Sequence, residues 1–320
     1  YWTGFDVVTN IIGYMPFGIL VVFALYPHVR GLPAAVIATC AGALLSFTME
    51  AVQTWLPSRV ASNLDFLTNE GGALLGAIAG VMLTRAFLEQ SRLLQLRKQW
   101  FVHEAGRGLI VAGLWPLAQI YPQGYLFGHG QILPILSEWL AQWLDTPVDL
   151  GALLRNGLEL SAQEYWLAET IITACGLAGA LLTASCLLRK HAPRAALLAG
   201  LLLIALGVKS LTSALYFAPQ NAFVWLTPGA KGGLLVGGLM LSGLAFAPQV
   251  AQRRLAAVSL LLSYIAVNFV PANPYFVSTM QAWIQGKFLN FNGAAQFLSL
   301  VWPFFALYFL WHPMHRQNRK

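Results

Sequence analysis

Residues 50–80 of the chain read EAVQTWLPSRVASNLDFLTNEGGALLGAIAG. An apolar helix is predicted to extend through Glu50 and to end at Pro57, because proline does not continue a helix. A polar hairpin is predicted to follow it. A second apolar helix is predicted to begin at about Leu67. Charge is costly inside a bilayer, and these ionisable residues lie where two membrane-length segments meet. They therefore predict a functional site at this hairpin.

The composition is that of a membrane protein with many spans. Of the 320 residues, 58% are hydrophobic and only 10% are charged, whereas a soluble domain has about 25% charged residues. We therefore predict an all-α fold, a helical membrane bundle with about nine transmembrane helices, each long enough to cross about 30 Å of hydrocarbon. The apolar windows are residues 5–26, 33–56, 67–88, 106–121, 165–188, 194–216, 230–247, 254–271 and 294–312.

The basic residues predict which side of the membrane each loop faces. The net charge is +7, but Lys and Arg form short clusters between apolar runs, which is typical of topology signals rather than of nucleic-acid binding. The clusters fall in alternate loops, so the positive-inside rule places those loops and the C-terminus in the cytoplasm. The hairpin from Glu50 to Asn69 is then extracytoplasmic. The chain begins at Tyr1 without a methionine, and we expect residues to precede it.

The segments between the spans differ in character. Residues 89–105 are basic and amphipathic, which predicts a cytoplasmic surface segment. Beyond it, residues 106–320 are predicted to form a further helical membrane region. Within that region, residues 122–164 combine Trp139 and Trp143 with acidic residues, and residues 272–293 combine Tyr275 and Trp283 with several asparagines, which predicts extracytoplasmic interfacial segments.

Polar residues at helical spacing lie at the hairpin end of the first three predicted helices. Residues three or four apart share one helix face, so these side chains are expected to converge. The sets are Asp6 with Asn10, Ser46 with Glu50 and Gln53, and Asp65 with Asn69. Farther along the third helix, Gly72, Gly76 and Gly80 recur every four residues, which predicts close approach by another helix.

This region resembles the VanZ-like family. The resemblance is carried, in order, by Asn10, Pro16, Gly18, Glu50, Gln53, Pro57, Arg59, Ser62, Asp65, Asn69 and Gly72. It covers about residues 5–85, so residues 1–88 are interpreted as a VanZ-like membrane domain. The resemblance implies an integral membrane protein of the bacterial cell envelope, and hence the plasma (inner) membrane. The founding member of the family confers low-level teicoplanin resistance, but the resemblance supplies no biochemical activity.

The leading hypothesis is a polar pocket at the outer leaflet that binds the headgroup of a lipid-linked glycan, a lipid or a glycopeptide. Its partners would be membrane lipids, a lipid-linked envelope intermediate or another membrane protein, and not nucleic acid. The predicted binding residues are Asp6, Asn10, Glu50, Gln53, Arg59, Ser62, Asp65 and Asn69. The supporting polar residues are Glu169, Lys209 and Asn268.

Two other functions remain open from the sequence. An intramembrane enzyme acting on a polyprenyl- or phospho-lipid would use Glu50 or Asp65 as its base and Arg59 as a phosphate clamp. A structural subunit of a larger membrane complex is the other alternative, and the small-residue helix faces and the tryptophan-containing outer segments are the evidence for it. The sequence assigns no catalytic residue. No metal or cofactor is expected, because the three cysteines lie in apolar segments and His129 is the one histidine predicted outside.

Overall fold

A computed structural model describes residues 4–53, 63–84, 87–88, 92–102, 105–156, 160–271 and 289–312 of the chain. For residues 4–6, 9, 52–53, 92–94 and 289–294 it describes the backbone alone. Across these ranges the regular secondary structure is helical, apart from one isolated antiparallel bridge between Phe101 and Leu188. The predicted all-α class is confirmed for this part of the chain.

The chain divides into two compact units, Tyr1–Gln99 and Trp100–Lys320. The first contains helices α1 (Gly4–Leu25), α2 (Leu32–Gln53) and α3 (Asn63–Thr84), and helix α4 (Arg92–Trp100) ends at the boundary. Helices α1, α2 and α3 pack on one another in all three pairings. Their small core contains Val22, Ala34, Ala38 and Ala77, which are almost completely buried.

The contact between α1 and α3 is a close approach of two backbones. A Cβ atom added to Gly76 would lie 2.7 Å from the carbonyl carbon of Met15, and one added to Gly72 would lie 2.9 Å from the Cα atom of Ile11. On the facing helix, a Cβ atom at Gly18 would lie 2.7 Å from the backbone nitrogen of Ala77. Only glycine fits these positions without displacing a neighbouring backbone. The helix approach predicted from the glycine spacing is therefore confirmed.

The second unit contains eight α-helices among its described residues. They are α5 (Gly106–Ala118), α6 (Ile132–Leu144), α7 (Leu150–Arg155), α8 (Ala162–Ser185), α9 (Arg194–Phe217), α10 (Pro228–Leu244), α11 (Gln249–Phe269) and α12 (Leu289–Trp311). Helix α8 lies at the centre, packs against α10 and α11, and is buried throughout from Ile172 to Ser185. It begins with a capping box in which Ser161 and Glu164 satisfy each other's backbone amides.

Each of the nine predicted windows coincides with a helix, but not every helix has the length of a membrane span. Within the described residues, five stretches are long and apolar enough to cross a bilayer: Leu32–Ala51, Asn63–Thr84, Ala162–Ser185, Arg194–Phe217 and Gln249–Phe269. The apolar stretches Asn10–Leu25 and Ala295–Trp311 are shorter. Helix α5 has 13 residues and α10 has 17. The structure thus supports a multi-span membrane protein without confirming the count of nine.

The predicted non-spanning segments also contain short helices. Helix α4 lies in the basic amphipathic segment, and α6 and α7 lie in the segment 122–164. Trp143 on α6 is 88% exposed, and Trp139 on the same helix is also exposed. These exposed rings are compatible with the interfacial position predicted for α6. Most of the segment predicted at 272–293 lies outside the described residues.

Candidate functional site

The three helices of the first unit bring polar side chains together at one end of the bundle. We call this group the helix-end cluster: Asn10, Tyr14, Ser46, Glu50, Asp65, Thr68 and Asn69. The Asn10 amide nitrogen donates a hydrogen bond of 2.7 Å to Asp65 Oδ1 and one of 3.3 Å to Thr68 Oγ1. Asn10 therefore ties α1 to the first turns of α3.

A second set of bonds ties α3 to α2. The Asn69 amide nitrogen donates to Ser46 Oγ at 3.0 Å, and both side chains are buried. Ser46 also forms a hydrogen bond with the side chain of Tyr14 on α1. The same serine hydroxyl thus joins all three helices of the unit.

Glu50 lies one helical turn beyond Ser46 and hence on the same face of α2. Only 9% of its surface is exposed, and its carboxylate is close enough to Tyr14 to interact with the phenol electrostatically. A buried carboxylate within a membrane-length helix is costly, and such residues mark functional sites by default. Glu50 is the ionisable member of the cluster that is most deeply buried.

The structure therefore brings together four of the eight predicted binding residues: Asn10, Glu50, Asp65 and Asn69. The other four lie outside the described residues in whole or in part. Arg59 and Ser62 belong to the undescribed stretch 54–62, and the side chains of Asp6 and Gln53 are likewise not described. Tyr14 and Thr68 were missed by the sequence analysis. Tyr14 is four residues after Asn10, and Thr68 is three residues after Asp65. Helical spacing from these two predicted residues could have identified both.

The three supporting polar residues belong to the second unit, where each has a local partner. Glu169 is 3% exposed and accepts a hydrogen bond of 2.5 Å from Thr227 Oγ1. Thr227 also caps helix α10 through the amide of Ala230, so the Glu169 carboxylate lies at the positive end of that helix dipole. Lys209 is 2% exposed, and its ammonium group donates to the carbonyl oxygen of Tyr121 at 3.4 Å.

Asn268 connects α11 to the start of α6. Its Oδ1 atom accepts hydrogen bonds from the backbone amides of Ile132 at 2.9 Å and Leu133 at 3.0 Å. Its amide nitrogen donates to the carbonyl oxygens of Gly130 and Tyr264, both at 2.9 Å. Both the oxygen and the nitrogen of this side chain are thus hydrogen-bonded to backbone groups. Its contacts are those of a helix cap supplied from a distant helix.

A buried hydrogen-bond chain in the second unit was not predicted. His129 lies between two glutamines: its Nε2 is 2.7 Å from the Gln119 amide nitrogen, and its Nδ1 is 2.6 Å from that of Gln123. The Gln123 amide also bonds to Ser299, and Gln119 donates to the carbonyl oxygen of Trp115. Burial, with a smaller contribution from the charge of Lys209, lowers the pKa of His129 to about 3, so the ring is neutral.

A neutral imidazole has one N–H group and one lone pair. Only one of the two ring nitrogens can therefore accept a hydrogen bond from a glutamine amide nitrogen. Gln119, Gln123 and His129 form no motif with the distant Ser299, so no sequence pattern distinguished these residues from ordinary polar ones. Throughout the described ranges, no group of three or more His, Cys, Asp or Glu side chains is arranged to hold a metal ion.

The fold and the cluster define the class: a helical membrane protein with an N-terminal three-helix unit that gathers polar side chains at one end. Residues 1–85 match the model of the VanZ/LLP1 family, which confirms the resemblance found in the sequence. The match covers the three helices that supply the helix-end cluster and does not extend into the second unit. No curated protein and no solved structure matches the chain.

Proposed function

We propose that the protein is a VanZ-like component of the bacterial cell envelope whose helix-end cluster binds the headgroup of a lipid-linked glycan or a related envelope lipid. The observation that carries this proposal is the burial of Glu50 beside Tyr14 and one helical turn from Ser46, at the end of the bundle where Asn10, Asp65 and Asn69 form hydrogen bonds. Burying a carboxylate within a membrane helix is costly, so its presence in this position favours a functional role.

The chemistry of the cluster favours a headgroup rich in hydroxyl and amide groups. Carboxylates accept hydrogen bonds, hydroxyls accept and donate, and carboxamides offer two donors and one acceptor oxygen. Sugars and peptides present the complementary groups. The hydrogen bonds between Asn10 and Asp65 and between Asn69 and Ser46 restrict the rotamers of these side chains, which lowers the entropy lost when a ligand is bound.

The proposed orientation follows from the distribution of charge along the chain. With the basic loops in the cytoplasm of a bacterial inner membrane, the cluster lies toward the outer leaflet, where lipid-linked envelope intermediates present their sugars. Arg59 is next to the cluster in sequence, within the hairpin predicted there, and would bind the phosphate of such a lipid in bidentate fashion.

Identification of lipids that co-purify with the protein tests the proposal. The wild-type chain, extracted in native membrane patches, should be enriched in one class of glycan-bearing lipid relative to the bulk membrane. The Glu50→Gln variant, which keeps the side-chain volume and removes the charge, should lose this enrichment at normal yield. Conversion of the bound lipid would favour the enzymatic function. A stoichiometric protein partner without lipid enrichment would favour the structural-subunit function and contradict the proposal.

A further inference from the structure

A small cavity in the second unit lies next to the buried hydrogen-bond chain of His129. Its volume is about 150 Å³. The lining residues are Tyr121, Gln123, Gln131, Pro134, Ile135, Glu138, Gln296, Ser299 and Leu300. The cavity is formed by helices α6 and α12 and by the loop before α6. Six of the nine lining residues have polar side chains. We infer that this cavity is a binding site for one neutral, polyhydroxylated group of the size of a single sugar ring.

The inner wall of the cavity is rigid and polar. Gln123 and Ser299 are buried there and hydrogen-bonded to each other. The Gln123 amide nitrogen is also in contact with Nδ1 of His129. The chain continues through Gln119 to the carbonyl oxygen of Trp115. A buried polar network of this length costs free energy unless its members are satisfied. The side-chain amide oxygens of Gln119 and Gln123 are both buried without a hydrogen-bond partner among the described residues.

The opposite wall is open and accessible. Glu138 is exposed on α6, whereas Gln131 and Gln296 are half-buried. Burial raises the pKa of the Tyr121 phenol, and the negative charge of Glu138 raises it further, so these two side chains are near each other. A ligand can therefore enter past Glu138 and reach the fixed amide and hydroxyl of Gln123 and Ser299.

The charges around the cavity select against ions of either sign. The described lining contains no Lys or Arg, and Glu138 repels anions such as phosphate. The Lys209 ammonium group is bonded to the carbonyl oxygen of Tyr121, a lining residue, and its positive charge offsets the attraction of Glu138 for cations. Three glutamine side chains, two hydroxyls and one carboxylate remain, and they match the donors and acceptors of sugar hydroxyls. This inference does not depend on the helix-end cluster, which belongs to the other unit.

Saturation-transfer difference NMR on the full chain in nanodiscs tests the inference, with N-acetylglucosamine and glucose as neutral probes, choline as the cation and inorganic phosphate as the anion. Saturable binding of a sugar is expected, with choline and phosphate giving no saturable signal. Gln131→Ala and Ser299→Ala should each weaken sugar binding about tenfold. Gln163→Ala, at an exposed glutamine in the first turn of α8, should leave the affinity unchanged.

The other outcomes overturn the inference. They are the absence of saturable sugar binding, a preference for choline or phosphate, and sugar binding that neither Gln131→Ala nor Ser299→Ala weakens. Repeating the titration with Glu50→Gln separates the two proposed sites. Binding that depends on Gln131 and not on Glu50 belongs to this cavity, and the reverse dependence assigns the sugar to the helix-end cluster and contradicts a site here.

Discussion

Gly76 of α3 lies directly against the carbonyl group of Met15 on α1, with no room between them for even a methyl group. Gly71, five residues earlier on α3, has no atom within 4 Å of the position its Cβ would take. The same substitution at these two glycines therefore separates a packing effect from a change in helix propensity.

We predict that Gly76→Ala lowers the melting temperature of the purified protein and reduces its yield. Overpacking of this kind costs about 1–3 kcal/mol. Gly71→Ala should be neutral or slightly stabilising, since alanine favours a helix by about 1 kcal/mol over glycine. Equal melting temperatures for the two variants would show that α1 and α3 do not pack through Gly76.

Asn268 should matter for stability because its side chain satisfies four backbone groups at once. Asn268→Ala leaves the amides of Ile132 and Leu133 without their acceptor and should cost about 1–3 kcal/mol. Hydrogen exchange should become faster at the start of α6 in this variant, and Gln163→Ala serves as the surface control. Unchanged exchange at Ile132 and Leu133 would contradict the capping role.

His129 should make the protein less stable in acid. Its folded-state pKa of about 3 is below the value of 6.5 for an unperturbed histidine. Between these two values the unfolded chain binds a proton that the folded protein does not, so stability falls as the pH drops from about 6.5 towards 3. The slope approaches about 1.4 kcal/mol per pH unit.

Melting temperatures measured from pH 7 to pH 4 check this prediction. His129→Gln removes the titrating group and should flatten the pH dependence, whereas His28→Gln, at an exposed histidine, should not. A wild-type profile that His129→Gln leaves unchanged would assign the acid sensitivity to other groups.

The predicted topology is tested by cysteine labelling in a background in which Cys40, Cys175 and Cys186 are replaced by alanine. Ser58→Cys, in the hairpin, should react with an impermeant reagent in intact cells. Lys190→Cys should react only after permeabilisation. Lys190 is exposed, whereas Gln252, in the first turn of α11 beside Arg253 and Arg254, is fully buried and unsuitable for a label. The reverse pattern would place the hairpin in the cytoplasm.

The sequence was sufficient to predict the helices and the convergence of α1, α2 and α3, because helical spacing places Asn10, Asp65 and Asn69 on definite faces. It also predicted the close contact at Gly76, since small residues every four positions have few other uses in a membrane helix. The number of spans was harder to predict. Helices such as α5 are apolar but only 13 residues long, and hydropathy alone does not show where a helix ends inside a bundle.

The hydrogen-bond chain of His129 could not be predicted, because Gln123 and Ser299 are 176 residues apart in sequence. Their contact depends on the packing of α12 beside the loop that precedes α6. Asn268 presents the same difficulty. An asparagine near the end of an apolar helix resembles a site residue, and only the position of α6 identifies it as a cap.

The central claim, that the helix-end cluster binds a headgroup, is tested most directly by titrating a polyprenyl-phosphate-linked disaccharide into the protein in nanodiscs. The matched variants are Glu50→Gln, in the cluster, and Glu70→Gln, outside it. Glu70 follows Asn69 in sequence, but its side chain is rotated about 100° around the helix axis from that of Asn69. The account predicts saturable binding that Glu50→Gln weakens at least tenfold and Glu70→Gln leaves unchanged, with equal melting temperatures. Equal affinity in wild type and Glu50→Gln, or no binding by the wild type, would contradict it.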